Sequence, residues 1–394
     1  MQNVVSLNSP SVVDSNLPFL DGLRGIASLW VFLSHVLILS GCQHIPLLSE
    51  GGLAVDLFML LSGFLMAHHY LLRRGSEPWE RPSTWTTFWI RRFFRIAPLF
   101  YLLLLVALLF GPFLGQMREQ IAALWPQTAT SPSRYNDASL GNIVAHVSFV
   151  FGAIPRYSFE TPLPDWSIGL EMQFYLAFPF LMWAASRFGF YLVGYITVFA
   201  CLLAGKLFPG FMQGFEMPSF LPLKLHMFFI GIWLAHGRAS GTLGKSLLAA
   251  LSVVLMSRLF IRESLQQLAL HAGMLVFFAY LMNVSPIGLG LLDRAAGVIR
   301  TVFSSKVAVF LGDTSYGFYL LHLLLLLPVA GGLAQLPAYQ SAPAVLRFGL
   351  CVLLTAPVVY AIAWGLHVSV ERGGIRMGKY FSGYKRSSPS SSAV

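Results

Sequence analysis

Charge is scarce in this chain of 394 residues: Asp, Glu, Lys and Arg make up 11% of it, against 56% hydrophobic residues. Soluble domains carry about a quarter charged residues, so this poverty excludes an ordinary soluble globule. Acids are the rarer sign, 16 against 26 Lys and Arg. There are 3 cysteines, Cys42, Cys201 and Cys351, far apart and without metal-ligand spacing, which leaves no support for a disulfide framework or a zinc site. There is no P-loop, no G-x-S-x-G elbow and no dinucleotide fingerprint, so ATP hydrolysis and hydride transfer have no support. No polar stretch is long enough to fold by itself, and no internal repeat is visible, which weighs against a transporter built from duplicated halves. Residues 1–18 contain no Lys or Arg. The basic region of a secretory signal is therefore missing, and the first apolar segment is expected to stay as an anchor.

What is present in quantity is apolar runs near twenty residues, the length a hydrocarbon core of roughly 30 Å requires. Mean hydropathy is +0.69. Ten spans are expected, at about 19–40, 51–72, 94–114, 167–186, 189–206, 220–238, 245–260, 266–283, 307–330 and 344–367. The fold class that follows is all-α, a polytopic integral membrane bundle of about ten helices. An even count puts both termini on one side of the membrane. The net charge of +10 falls in short loops between apolar runs rather than in one patch, so it reads as a topology signal in a lipid bilayer and not as a nucleic-acid surface. Most of these basic residues, among them Arg73, Arg74, Arg91, Arg92, Arg95, Arg372 and Arg376, fall on one side if both termini are cytoplasmic. The organisation expected is a polar segment 1–18, a membrane domain 19–368 with a long outer loop 115–166, and a cytoplasmic polar tail 369–394, disordered over the serine-rich 387–394. Within the loop, 142–154 is apolar but too short to span, so it is expected to lie in the interface or cap a cavity.

Ionisable residues at membrane depth cost several kcal/mol unless paired or hydrated, and their default reading is functional. The first span carries both Arg24 and His35. Their eleven-residue step returns to within roughly 20° of the same helical face and separates them by roughly 16 Å along the axis. Asp21 stands three residues before Arg24, so a structural ion pair with a hydrogen-bonded core histidine is the alternative. Counted from the span ends, His35, Asp56 and Glu171 lie at one depth, roughly 6 to 8 Å below the outer surface. A histidine with one or two carboxylates is what general-base chemistry needs. Separate packing roles for Asp56 and Glu171 remain open.

Arg91, Arg92 and Arg95 precede the third span on the cytoplasmic side and share a helical face, which suits phosphate oxygens and equally suits a positive-inside anchor. Ser315, Tyr319 and His322 share a face of the ninth span, where core hydrogen bonding is the simpler reading. Lys224 and His226 can touch a polar substrate or snorkel to the interface. His68 and His69 are expected at the interface.

Five blocks in order resemble the membrane-bound acyltransferase 3 family. Leu20 to His35 resembles its first-helix signature, a basic residue and a histidine with ten residues between; Gly51 to Leu65 resembles its second-helix block; Arg91 to Tyr101 resembles its R-x-x-R-I-x-P-L-Y element; Trp166 to Tyr175 resembles its W-S-L-x-x-E-E-x-F-Y block; Ser315 to His322 resembles its S-Y-x-x-Y-L-x-H block. Met172 departs from the pattern, standing where many members have a second glutamate and leaving Glu171 as the single acid of that pair. Many members append an SGNH hydrolase-like domain. Here a short polar tail follows, and a stand-alone membrane unit with a possible separate extracytoplasmic partner is expected.

The resemblance implies a membrane O-acyltransferase of the cytoplasmic (inner or plasma) membrane. It would move an acyl group, most commonly acetyl, from cytoplasmic acetyl-CoA (acyl-CoA) to a hydroxyl of an extracytoplasmic glycan or lipid-linked sugar. Acyl-CoA would be a co-substrate; no tightly bound cofactor and no metal are expected. The catalytic set would be His35, Glu171 and Asp56, and the donor-binding set Arg24, Arg92, Arg95 and Arg91. Trp166, Ser167, Tyr319 and His322 would serve substrate or structure. The rival classes are a proton-coupled transporter or flippase of a glycan-like substrate, and a non-catalytic scaffold.

Overall fold

The computed structural model describes residues 17–42, 44–261, 264–282 and 290–383. The polar segment before residue 17 and the serine-rich tail lie outside the described residues. Twelve longer helices build the described chain, with no strand among the described residues: α1 Pro18–Leu39, α2 Gly51–Arg73, α3 Pro82–Leu124, α4 Trp166–Phe188, α5 Phe190–Leu207, α6 Leu221–Ala239, α7 Leu243–Ile261, α8 Leu265–Met282, α9 Leu291–Phe303, α10 Lys306–Ala334, α11 Ala344–Leu366 and α12 Arg372–Phe381. Each of the ten expected spans is one of these helices. Among the described residues nine helices are long and apolar enough to cross a membrane, and α6 is the one of the ten outside that set. Lys224, His226, His236 and Arg238 lower its hydropathy, yet every residue from Leu225 to Ala235 is buried, so α6 is interior to the bundle. Large side chains such as Leu105, Leu109, Leu176, Ile196, Leu255 and Leu353 point outward on the other helices, the inside-out pattern lipid requires. The protein is a multi-pass membrane protein.

Two close helix crossings organise the bundle. A Cβ on Gly63 would stand 2.1 Å from the Phe228 carbonyl oxygen, and one on Gly231 would stand 2.1 Å from that of Leu60, so α2 and α6 touch backbone to backbone. The same holds for α1 against α10, where a Cβ on Gly312 would lie 2.3 Å from the Asp21 carbonyl oxygen. Small residues are the usual means of such contact where lipid offers no hydrophobic drive.

Three segments differ from the sequence expectation. Helix α3 has 43 residues, not about twenty, and so places Arg91, Arg92 and Arg95 inside a continuous helix rather than before one. Its Pro98 leaves the Phe94 carbonyl without an intrahelical donor, and α12 approaches there at Gly374, where a Cβ would come within 2.3 Å of that oxygen. Residues 291–303, expected as loop, form α9, whose exposed Leu291, Leu292, Val298 and Val302 and basic Arg294 and Arg300 make an interfacial helix. After α11 the chain runs through a π turn, His367–Glu371, into α12.

The long loop packs down as short helical turns, Leu140–Val147 among them. Arg134 donates to the carbonyls of Thr161 and Leu163, and its guanidinium lies 3.7 Å from the Phe159 ring centre. Thr161 donates to Asp165 at 2.7 Å, and His146 Nε2 lies 3.6 Å from the same carboxylate oxygen. Burial pushes the Asp165 carboxyl above the ordinary range and the Arg134 guanidinium below its own. The loop thereby covers the start of α4, where Asp165 is 0% exposed.

Candidate active site

Arg24, on α1, sits where three adjoining cavities meet. One, of about 150 Å³, is lined by Asp21, Arg24, His68, His69, Arg92, Arg95, Glu171 and Tyr175. A second, of about 220 Å³, takes Asp21, Arg24, Arg95 and Glu171 again and adds Asp313, Tyr316, His367 and Glu371. The third, of about 50 Å³, runs on between Arg24, Ser62, Phe58, Ser167, Ser315, Tyr316 and Tyr319. Arg24 and Glu171 are common to all three, so a single channel narrows from a basic chamber at the Asp21 end of α1 toward Tyr319.

Of the basic triplet, Arg92 and Arg95 face this chamber. Arg91 turns away to Glu77 at 3.0 Å and to the Ser382 hydroxyl, so the shared face expected for the three divides. Arg92 lies over the rings of Phe88 and Tyr175, at 5.6 and 5.7 Å, which orients its guanidinium. Glu171 accepts from Ser62 at 3.0 Å and from the Tyr175 hydroxyl.

The one-depth arrangement of His35, Asp56 and Glu171 is corrected here. Glu171 lines the arginine chamber, because the covered start of α4 lies sunk in protein and depth counted from a surface end overshoots. Asp56 faces the other side of α2: its carboxylate lies 2.7 Å from Lys224 Nζ and 2.9 Å from His271 Nε2. Neither acid makes a hydrogen bond or ion pair with His35 among the described residues.

His35 meets His322 instead. His322 Nδ1 is 2.6 Å from the Tyr319 carbonyl oxygen, an acceptor only, so Nδ1 carries the proton and Nε2 carries the lone pair. His35 Nδ1 is 3.2 Å from that His322 Nε2 and 2.9 Å from the Val31 carbonyl oxygen, two acceptors that place its proton on Nδ1 as well. His35 Nε2 is left as an unprotonated acceptor. Phe32 and Phe318 hold the His322 ring edge-on and stacked, and His322 is 0% exposed. Tyr319 joins this pair to the channel, since its hydroxyl shares a hydrogen bond of 2.8 Å with Ser167 and its ring lines the narrow end. Trp166, the first residue of α4, is buried beside Ser167.

His68, expected at the interface, is buried in the chamber wall, and Glu371, His367 and Tyr175 join the site beside the candidates. His271 was legible in principle, because it is a lone histidine in an apolar span like His35.

An acyltransferase-domain family profile, acyltransferase 3, matches residues 17–364. The chain belongs to the acyltransferase 3 family. The match takes in Arg24, Arg92, Arg95 and Glu171 of the channel, the histidine pair and Asp56, while His367 and Glu371 of the chamber lie past its end. Among the relatives, the peptidoglycan O-acetyltransferase OatA of Listeria monocytogenes is 25% identical over 337 residues, 78% of this chain and 49% of its own length. The acyltransferase MdmB of Streptomyces mycarofaciens is 25% identical over 402 residues, 93% of each chain. The putative membrane-bound transacylase BcsY of Komagataeibacter xylinus is 33% identical over 158 residues, 40% of this chain. The chain thus spans about half the length of OatA and nearly all of MdmB. No solved structure matches.

Proposed function

We propose that this acyltransferase 3 protein is a membrane O-acyltransferase that moves an acetyl group from acetyl-CoA to a hydroxyl of a glycan or lipid-linked sugar. The observation that carries the reading is the proton arrangement at His35, whose Nε2 is left as a base while a second imidazole backs its Nδ1. The names of OatA and its relatives point to a sugar-bearing acceptor and to acetyl as the group moved.

Arg92, Arg95 and Arg24 would bind the phosphates of acetyl-CoA at the basic chamber, since guanidinium forks match phosphate oxygens. The pantetheine arm would then follow the channel toward Tyr319, a run comparable to the roughly 16 Å between Arg24 and His35. The acceptor hydroxyl gives its proton to His35 Nε2 as its oxygen attacks the thioester carbonyl carbon. The C–S bond breaks, the ester forms, and the coenzyme thiolate takes the proton back from His35. His322 Nε2 accepts from the charged imidazolium, the part a carboxylate plays in hydrolase triads. Basic loops gathered at the Asp21 end support a cytoplasmic location for the donor chamber, and hence an inner or plasma membrane with the acceptor on the opposite face.

The test is transfer of radiolabelled acetyl from acetyl-CoA by membranes containing the protein, beside His35→Ala, with glycan and lipid fractions as acceptor pools. Label entering a fraction only with the wild type is expected. Equal turnover by His35→Ala would remove the mechanism, and movement of unmodified glycan without donor would replace it with a transporter.

A further inference from the structure

The channel does not use the largest described cavity, which lies across α2. Val55, Met59 and Ser62 face the channel, whereas Asp56 faces a separate cavity of about 630 Å³ between α2, α5, α6, α7 and α8. Its size is that of a small-molecule site. Asp56, 3% exposed, anchors its wall through Lys224 and His271. His226, 4% exposed, also lines it.

We propose that this cavity binds a neutral saccharide ring. Its charges leave no site for an anion, because Asp56 holds the lysine. The remaining polar groups, Glu50, Gln213 and Gln267, are hydrogen-bonding partners for hydroxyls, and Phe260 with Pro209, Pro218 and Pro222 offers apolar surface for the ring. The rim also abuts α1 one residue from His35: Ser34 donates to the Ser49 carbonyl, and a Cβ on Gly51 would lie 2.7 Å from the Ser34 hydroxyl. Residues 49–52 therefore stand between α1 at Ser34 and the cavity mouth at Glu50 and Gly52. An extended glycan with one ring in the cavity would present its next ring near His35. This last step rests on the function proposed above; saccharide binding itself does not.

Cys201 lines the same cavity and reports on it. The full chain in lipid nanodiscs is alkylated with iodoacetamide, and modification of Cys201 is read by peptide mass spectrometry, with Cys42 as internal control. Probes are a β-linked N-acetylglucosamine tetrasaccharide, maltotetraose and sodium phosphate. One of the two saccharides is expected to slow Cys201 alkylation roughly tenfold once present at about ten times its Kd, in wild type and in His35→Ala alike. Asp56→Asn should abolish the protection. Gln213→Leu, outside the ion-pair cluster, should weaken it several-fold and decides the matter if Asp56→Asn does not fold. Equal protection in both variants, protection by phosphate alone, or no protection by either saccharide would overturn the proposal. Failure of acetyl transfer with saccharide protection intact would instead count against the proposed activity.

Discussion

Replacing His322 with phenylalanine isolates the feature that distinguishes this site from a carboxylate-backed one. The buried ring has Phe32 and Phe318 as neighbours, so phenylalanine suits the packing, and the Val31 carbonyl at 2.9 Å still holds the His35 tautomer. What disappears is the acceptor for the imidazolium that forms in the transition state. A hydrogen bond to a charged group contributes about 1.5 to 3 kcal/mol. That corresponds to a fall in kcat of roughly 10- to 160-fold. His35→Ala should cost more, about 10² to 10⁴-fold, because it removes the base itself. The assay is acetyl transfer at saturating donor, with the KM for acetyl-CoA measured separately. His322→Phe should change kcat and leave that KM within about twofold, as expected for an interaction made only in the transition state. His322→Gln, which keeps a side-chain acceptor, should recover part of the rate. A His322→Phe protein with wild-type kcat, or one whose defect lies wholly in KM, would refute the relay.

Arg92→Gln with Arg95→Gln should do the reverse, raising the KM for acetyl-CoA with a smaller effect on kcat, as measured by the same transfer assay. Gly63→Ala should lower thermal stability by about 1 to 3 kcal/mol, since α2 must move off the Phe228 carbonyl, and a melting curve in detergent checks it. Asp165→Asn should flatten the pH dependence of stability. Burial raises the folded pKa of Asp165, so its protonated form favours the fold, fully below the unfolded value of about 3.9, and that contribution is lost as pH rises through the raised folded value. The Tm of wild type relative to Asp165→Asn should thus fall between pH 4 and neutrality, whereas an unchanged difference would mean that Asp165 ionises freely when folded.

Much of this protein is legible along the chain because lipid imposes a simple code. Spanning helices must be long and apolar, so the ten helices, the class and the exceptional status of Arg24 and His35 follow from local sequence. Exceptions arise where the code is silent. Interfacial α9 is amphipathic rather than apolar, and α6 is diluted by side chains that the bundle interior, not lipid, surrounds. Partner choice is the other gap. Helical periodicity places Arg24 and His35 on one face, but it carries no distance between helices. Glu171 went to the arginines because the folded loop sinks the start of α4, and Asp56 went to Lys224 and His271 because α2 presents it to α6 and α8. Which residue stands behind His35 was decided by the crossing of α1 and α10, set by glycines that let two backbones touch. The sequence determined which groups are costly to bury, and the tertiary contacts alone determined which of them share a site.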